Sequence, residues 1–216
     1  MPVSAARLTD TISEEDQLRA RLYRLLGHLL ARPPETETLS ALAVLGGDSS
    51  ELGGALTTLA KLAGATSVFE ADREFHNLFI GVGRGELVPF ASYYLTGFLN
   101  ERPLALLRQD MARLGIEREA DVKEPEDHVG ALCEMMAGLI EGSFGAPADL
   151  DDQRRFFDAH IGRWAGKFFE DLEAAKTSCL YAPVGTIGRI YMDIEATAFG
   201  MVDDPSAGPG SDEAVD

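Results

Sequence analysis

The chain has 216 residues, 45% of them hydrophobic, and sets 19 lysines and arginines against 36 aspartates and glutamates, a formal charge of −17. This length and apolar content suffice for one domain with a real core. The acidity repels phosphate backbones and anionic lipid, which argues against nucleic acid as a partner and favours basic ones; it serves solubility, steering of a cationic ligand, or both.

No run of apolar residues is long enough to span a bilayer, and Met1–Thr11 lacks the basic-then-apolar layout of an export signal. A cytoplasmic protein without stable membrane insertion is therefore expected. Cys133 and Cys179 lie far apart inside helical patterns, where they read as small core residues and not as a disulfide framework or a zinc site.

In chain order, Ser13-x-x-Asp16 resembles a capping box, and the spacing of Leu18, Leu22, Leu25, Leu26, Leu29 and Leu30 predicts a helix over Glu14–Ala31 that Pro33-Pro34 ends. A short helix is predicted at Leu39–Leu45, another between Ser50 and Gly64, and a third from Val68 to Gly81. Gly81, Gly83, Gly85 and Pro89 then break the rhythm, and Gly81–Gly97 reads as an unusually aromatic loop. Helices resume after Asn100, up to Gly115, and again behind Glu124-Pro125-Glu126-Asp127-His128. Pro125 suits a first helical position, with Val129, Leu132, Met136, Leu139 and Ile140 marking the buried face up to Gly142.

The apolar spacing of Phe157, Ile161, Trp164, Phe168 and Leu172 predicts the longest helix, over roughly Asp151–Lys176. A last helix follows Pro183, with Ile187, Tyr191, Ile194 and Ala198 on one face and Gly200 at its end. No alternating strand pattern and no fixed-period repeat appears, so the class is all-α. A single domain over residues 14–200 is expected, between an N-terminal segment, 1–13, and a tail, 201–216. The tail holds five acids, no base and interspersed Pro and Gly, a composition that reads as disordered.

Catalytic signatures do not emerge. The glycines at 81, 83 and 85 have the wrong spacing for a dinucleotide fingerprint, and no Gly-Lys-Ser/Thr follows them. None of His28, His76, His128 and His160 has glutamate three positions earlier, which disfavours a di-iron bundle. A Gly-x-Ser-x-Gly turn is also missing. Arg154-Arg155-Phe156-Phe157 has the look of a twin-arginine consensus but sits inside a predicted helix and reads as structural, as do His160 and Trp164 one turn apart. The chain is expected to be neither an enzyme nor a holder of metal or cofactor.

Four elements in order, Phe75-x-x-Leu78-Phe79-x-Gly81, Pro89-x-x-Ser92-x-Tyr94, Glu124-Pro125-x-Asp127-His128 and Gln153-x-x-Phe156-x-x-x-His160-Ile161-x-x-Trp164-x-x-x-Phe168, resemble the TorD/DmsD/NarJ family of redox-enzyme maturation chaperones. The resemblance covers roughly residues 14–200, and the Glu-Pro-x-Asp-His element is its most distinctive part. It implies an all-helical, TorD-like bundle that binds an apo-molybdoenzyme catalytic subunit, often through its twin-arginine signal peptide, and holds it back from export until the molybdenum cofactor is inserted. An adaptor that grips a folded redox-enzyme subunit, with no export role, is the alternative.

By matched position, the resemblance assigns Glu124, Pro125, Asp127 and His128 to client binding, with Pro89, Ser92 and Tyr94 on a neighbouring wall. Glu124 and Asp127 would meet guanidinium groups, and Phe79, Phe90 and Tyr94 would supply an aromatic groove. Asp127 and His128 are expected to be more reachable than the Val129/Leu132/Met136 stripe. Phe90 and Tyr93 depart from the residues usual in the family, and the acidic tail lies beyond the shared region. Monomer and domain-swapped dimer both remain open, with hinges placed at Gly115–Glu124 and Gly142–Asp149.

Overall fold

A computed structural model describes residues 12–118 and 123–202. The disordered-tail reading, most of the N-terminal segment and the middle of the first hinge fall outside these residues. Ten α-helices are described: α1 Glu14–Ala31, α2 Thr36–Ala43, α3 Glu51–Ala65, α4 Val68–Phe75, α5 Ala91–Thr96, α6 Arg102–Leu114, α7 Val129–Glu141, α8 Leu150–His160, α9 Ala165–Ala174 and α10 Ala182–Val202. The only extended pairing among the described residues is one antiparallel bridge, Phe90 with His128. The fold is an all-α single-domain bundle.

Side-chain caps start several helices where the sequence places them. Ser13 Oγ accepts from the Asp16 amide, Ser50 Oγ from the Gly53 amide, and Ser67 with Glu70 forms a reciprocal capping box. The central helix, α7, is buried along most of its length and packs mainly on α1. Their backbones approach so closely that a Cβ on Gly130 would lie 3.1 Å from the Gly27 carbonyl oxygen. On the other side of the core α10 packs on α9 and α3, and a Cβ on Gly188 would lie 2.2 Å from the Phe169 ring. The core between these layers holds Leu26, Leu30, Met136, Ile140, Phe156, Phe168, Phe169, Tyr181 and Tyr191.

Five local expectations change. Cys133 is buried as read, but Cys179 is exposed, in the connection between α9 and α10. The predicted helix Asp151–Lys176 is two helices, α8 and α9, separated at 161–164, so the longest is α10 with 21 residues. Its apolar spacing continues across the break because Ile161, Trp164 and Phe168 are all buried, but Trp164 sits outside helical geometry at φ −148°, ψ −27°. The Val68–Gly81 helix is α4 followed by a π-helix, His76–Ile80, which ends at Gly81 with φ 61°. Part of the aromatic loop is helical, as α5. Finally, α7 begins at Val129 and not behind Pro125, because His128 caps it: its Nδ1 accepts from the Gly130 amide at 3.1 Å.

Candidate functional site

Residues Pro89–Ser92 and Asp127–Val129 form one clamp. The Ala91 amide donates to the Asp127 carbonyl at 2.9 Å, and the Val129 amide donates to the Pro89 carbonyl at 2.8 Å. Between them the Ser92 amide donates to Asp127 Oδ2 at 2.8 Å. The first amides of α5 have no acceptor within their own helix, and a carboxylate supplies one; its negative charge suits that end of a helix. The Phe90 ring meets the His128 ring edge-on, with centroids 5.1 Å apart.

Burial corrects the expected reachability of Asp127 and His128. Asp127 is 1% exposed, as buried as the stripe that follows it, and His128 and Ser92 are also buried. The cause is their bonding: the Asp127 carboxylate is turned inward to the α5 amides, and His128 is spent on capping α7. Asp127 Oδ1 and Ser92 Oγ are buried without a hydrogen-bond partner among the described residues. Burial alone lowers the His128 pKa to about 4, so the imidazole is neutral at neutral pH. With Nδ1 accepting from Gly130, the neutral ring carries its proton on Nε2.

Outward from the clamp, Glu124, Pro125, Glu126 and His128 line a groove of about 620 Å³ between α1, α7 and the C-terminal end of α6. Met111, Ile116, Ala131, Met135 and Phe144 give it apolar walls. Most of its charges are already matched. Arg108 holds Glu126 at 2.8 Å, Arg118 reaches Glu126 at 3.5 Å and donates to the Glu124 carbonyl at 3.2 Å, and Arg24 bridges Glu134 and Glu141. Arg108 keeps the Glu126 carboxyl below its usual range against an opposing desolvation effect that is larger on its own. The carboxylates of Glu117 and Glu124 are exposed and make no ion pair among the described residues.

The remaining predicted positions do not join this groove. Tyr94 packs on Trp164 and Phe168, at 5.3 and 5.9 Å, and donates to Asp171 at 3.1 Å; burial, then Asp171, pushes its phenol pKa up. Phe79 packs edge-on against Phe75 and Tyr181 at 5.0 and 5.5 Å, in a separate aromatic cluster. Pro89 and Phe90 meet the motif through the clamp and are not among the residues that line the groove. Sequence reasoning missed Met111, Ile116 and Phe144. The first two read as helix stripe and loop, and Phe144 stood alone behind Gly142; only the chain's folding back at φ 78° on Gly142 brings that ring over Gly138.

Among the described residues no group of three or more His, Cys, Asp or Glu could hold a metal ion, and no helix is long and apolar enough to cross a membrane.

A family model described as the nitrate reductase delta subunit matches residues 46–170, a span that contains all four motif elements. The chain is 25% identical over 210 residues to a chaperone protein TorD of Shewanella loihica, covering 86% of this chain and 94% of that one. It is 31% identical over 130 residues to a chaperone protein TorD of Vibrio cholerae, covering 57% and 59%. A crystal structure from Archaeoglobus fulgidus, described as a Putative Redox Enzyme Maturation Protein, is similar with a TM-score of 0.55 at 20% identity, over 82% of this chain and 94% of that one. This last likeness establishes the fold.

Proposed function

The chain belongs to the nitrate reductase delta subunit family, the TorD/DmsD/NarJ redox-enzyme maturation chaperones, and on that premise we propose that it receives the twin-arginine signal peptide of an apo-molybdoenzyme in the groove beside Glu124–His128. In this reading it acts in the cytoplasm and keeps the enzyme from export until cofactor insertion and assembly are complete.

The observation that carries the reading is the groove's mixture of apolar walls and carboxylates that make no ion pair among the described residues. A twin-arginine peptide presents two guanidiniums and then an apolar, helix-forming stretch. Glu124 and Glu117 offer charge for the first, and Met111, Ile116, Met135 and Phe144 offer surface for the second. Glu124, Pro125 and His128 face the client in this account. Asp127, Ser92 and Pro89 act behind them by fixing the turn. Phe79 and Tyr94, in their own aromatic clusters, act at most through packing.

The test is a titration with two synthetic peptides, one with the twin arginines and one with lysines in their place. Lysine lacks the planar fork that pairs with a carboxylate through two bonds, so its peptide should bind at least tenfold more weakly. Glu124→Lys should weaken the arginine peptide similarly while thermal melts stay unchanged. Undiminished binding by that variant would remove the groove from the account. Binding only to the mature subunit lacking its signal peptide would favour the adaptor role.

A further inference from the structure

A second surface lies away from the clamp, where α1, α8 and α10 meet. Its floor is a polar lock: Arg19 holds Glu195 through two bonds of 2.8 Å each, reaches Asp16 at 2.8 Å and Gln153 at 3.1 Å, and lies over the Phe199 ring. Tyr191 closes it by donating to the Arg19 carbonyl at 2.9 Å. Above this floor runs a groove of about 620 Å³, and across α10 a second one of about 480 Å³ shares Ile194 and Ala198 with it.

The ridge between the grooves is apolar and has no partner within the described chain. Ile194, Ala198 and Met201 follow one another at helical spacing along α10, and Leu18 and Leu150 stand on the facing helices. Leu18, Leu150, Ile194 and Met201 are between 47 and 66% exposed. Contiguous apolar side chains of this kind, on a protein this polar, mark an interaction surface more often than an accident.

Charge decides what fits there. The linings hold six carboxylates, from Glu15, Asp16, Glu51, Asp149, Asp193 and Glu195, against the guanidiniums of Arg19 and Arg189. Both guanidiniums are already committed, Arg19 to Asp16 and Glu195 and Arg189 to Glu51 and Glu173. The surface thus keeps a net negative rim around an apolar ridge. We infer that this face docks a basic amphipathic helix of a client polypeptide, its apolar side on the Ile194–Ala198–Met201 ridge and its lysines or arginines over Glu15, Asp149 and Asp193. Helix-in-groove recognition reads such anchors at successive turns, and opposite charge around them sets orientation and speeds encounter. The site is separate from the Glu124–His128 groove and stands without the signal-peptide reading.

The test uses the full chain and an 18-residue amphipathic helix of leucine and lysine, with a leucine and glutamate peptide of the same pattern as counterpart. Ile194→Lys and Leu150→Lys change exposed side chains, and Leu106→Lys places the same charge on an exposed position of α6; circular dichroism melts check that all three fold. The account predicts that the lysine peptide binds, that Ile194→Lys and Leu150→Lys each weaken it at least tenfold, and that Leu106→Lys leaves it within twofold. Equal weakening in all three variants would reduce the effect to bulk charge and overturn the site. So would equal binding of the glutamate peptide. A concentration-dependent dimer dissolved by Ile194→Lys would assign the ridge to a second copy of the chain, and binding that appears only after removal of residues 1–11 would assign it to the chain's own N-terminal segment.

Discussion

The turn at Glu124–His128 and the break at Ile161–Trp164 both interrupt helical structure, but different forces hold them. At the first, side chains satisfy backbone amides: Asp127 serves Ser92, and His128 serves Gly130. At the second, the ring of Trp164 fills the core beside Tyr94 and Phe168, while its Nε1 donates to the His160 carbonyl at 2.8 Å. The first region is specified by hydrogen-bond geometry and the second by volume. A motif residue can therefore be indispensable for a turn without touching a client, and each region should fail in its own way.

The largest effect is expected at the break. Trp164 is buried, so Trp164→Ala leaves a cavity and should cost ~3–5 kcal/mol in denaturant unfolding. Trp164→Phe should recover much of that loss, because volume is the dominant requirement. If alanine were tolerated, the contrast between the two regions would collapse.

At the turn, Asp127→Ala removes the acceptor of a buried amide and should cost about 2–3 kcal/mol. Asp127→Asn keeps an acceptor oxygen and should cost less. Unchanged melting of the alanine variant together with weaker client binding would mean that the carboxylate meets the client directly, against its burial.

The same region should respond to pH. The folded-state pKa of His128 lies below its unfolded value, so the unfolded chain takes up the proton first. The stability held with a neutral ring is complete above pH 6.5 and is lost as pH falls toward 4. With a folded-state pKa of about 4, the loss reaches about 2 kcal/mol by pH 5. His160 is also lowered, by burial against the raising effect of Asp110, so the comparison must be with His128→Asn, which keeps a capping acceptor and His160 alike. Parallel stability curves for the two proteins between pH 7 and 5 would remove the assignment to His128. The smallest effect concerns residues 203–216: their deletion should move stability by no more than ~0.5 kcal/mol, and a large drop in melting temperature would show them docked on the body.

Much of the helical layout was legible because apolar residues recur at helical spacing and because Ser13, Ser50, Gly115 and Gly142 punctuate it. The break after His160 was not, since burial continues through Ile161 and Trp164 and keeps the periodicity intact while the backbone leaves the helix. Pro125 misled for a related reason: a proline followed by acids suits a helix start, but Glu126 and Asp127 form a turn in which the His128 amide donates to the Pro125 carbonyl, and the bridge to Phe90 holds His128 extended and delays the helix to Val129. The candidate site was legible only as a set of motif positions. Which of them face a groove depends on the direction of the Asp127 carboxylate and on Phe144 folding back over α7, and both are tertiary facts.

The central claim, that the groove beside this turn reads a client's arginines, is tested most directly by a double-mutant cycle between Glu124 and the twin arginines. Wild-type protein and Glu124→Gln are each titrated by calorimetry with the arginine peptide and with variants carrying glutamine at either arginine. The account predicts a coupling of about 1 kcal/mol between Glu124 and one arginine, and none with a glutamine placed elsewhere in the peptide. Strictly additive losses at both arginines, with peptide binding otherwise intact, would contradict it.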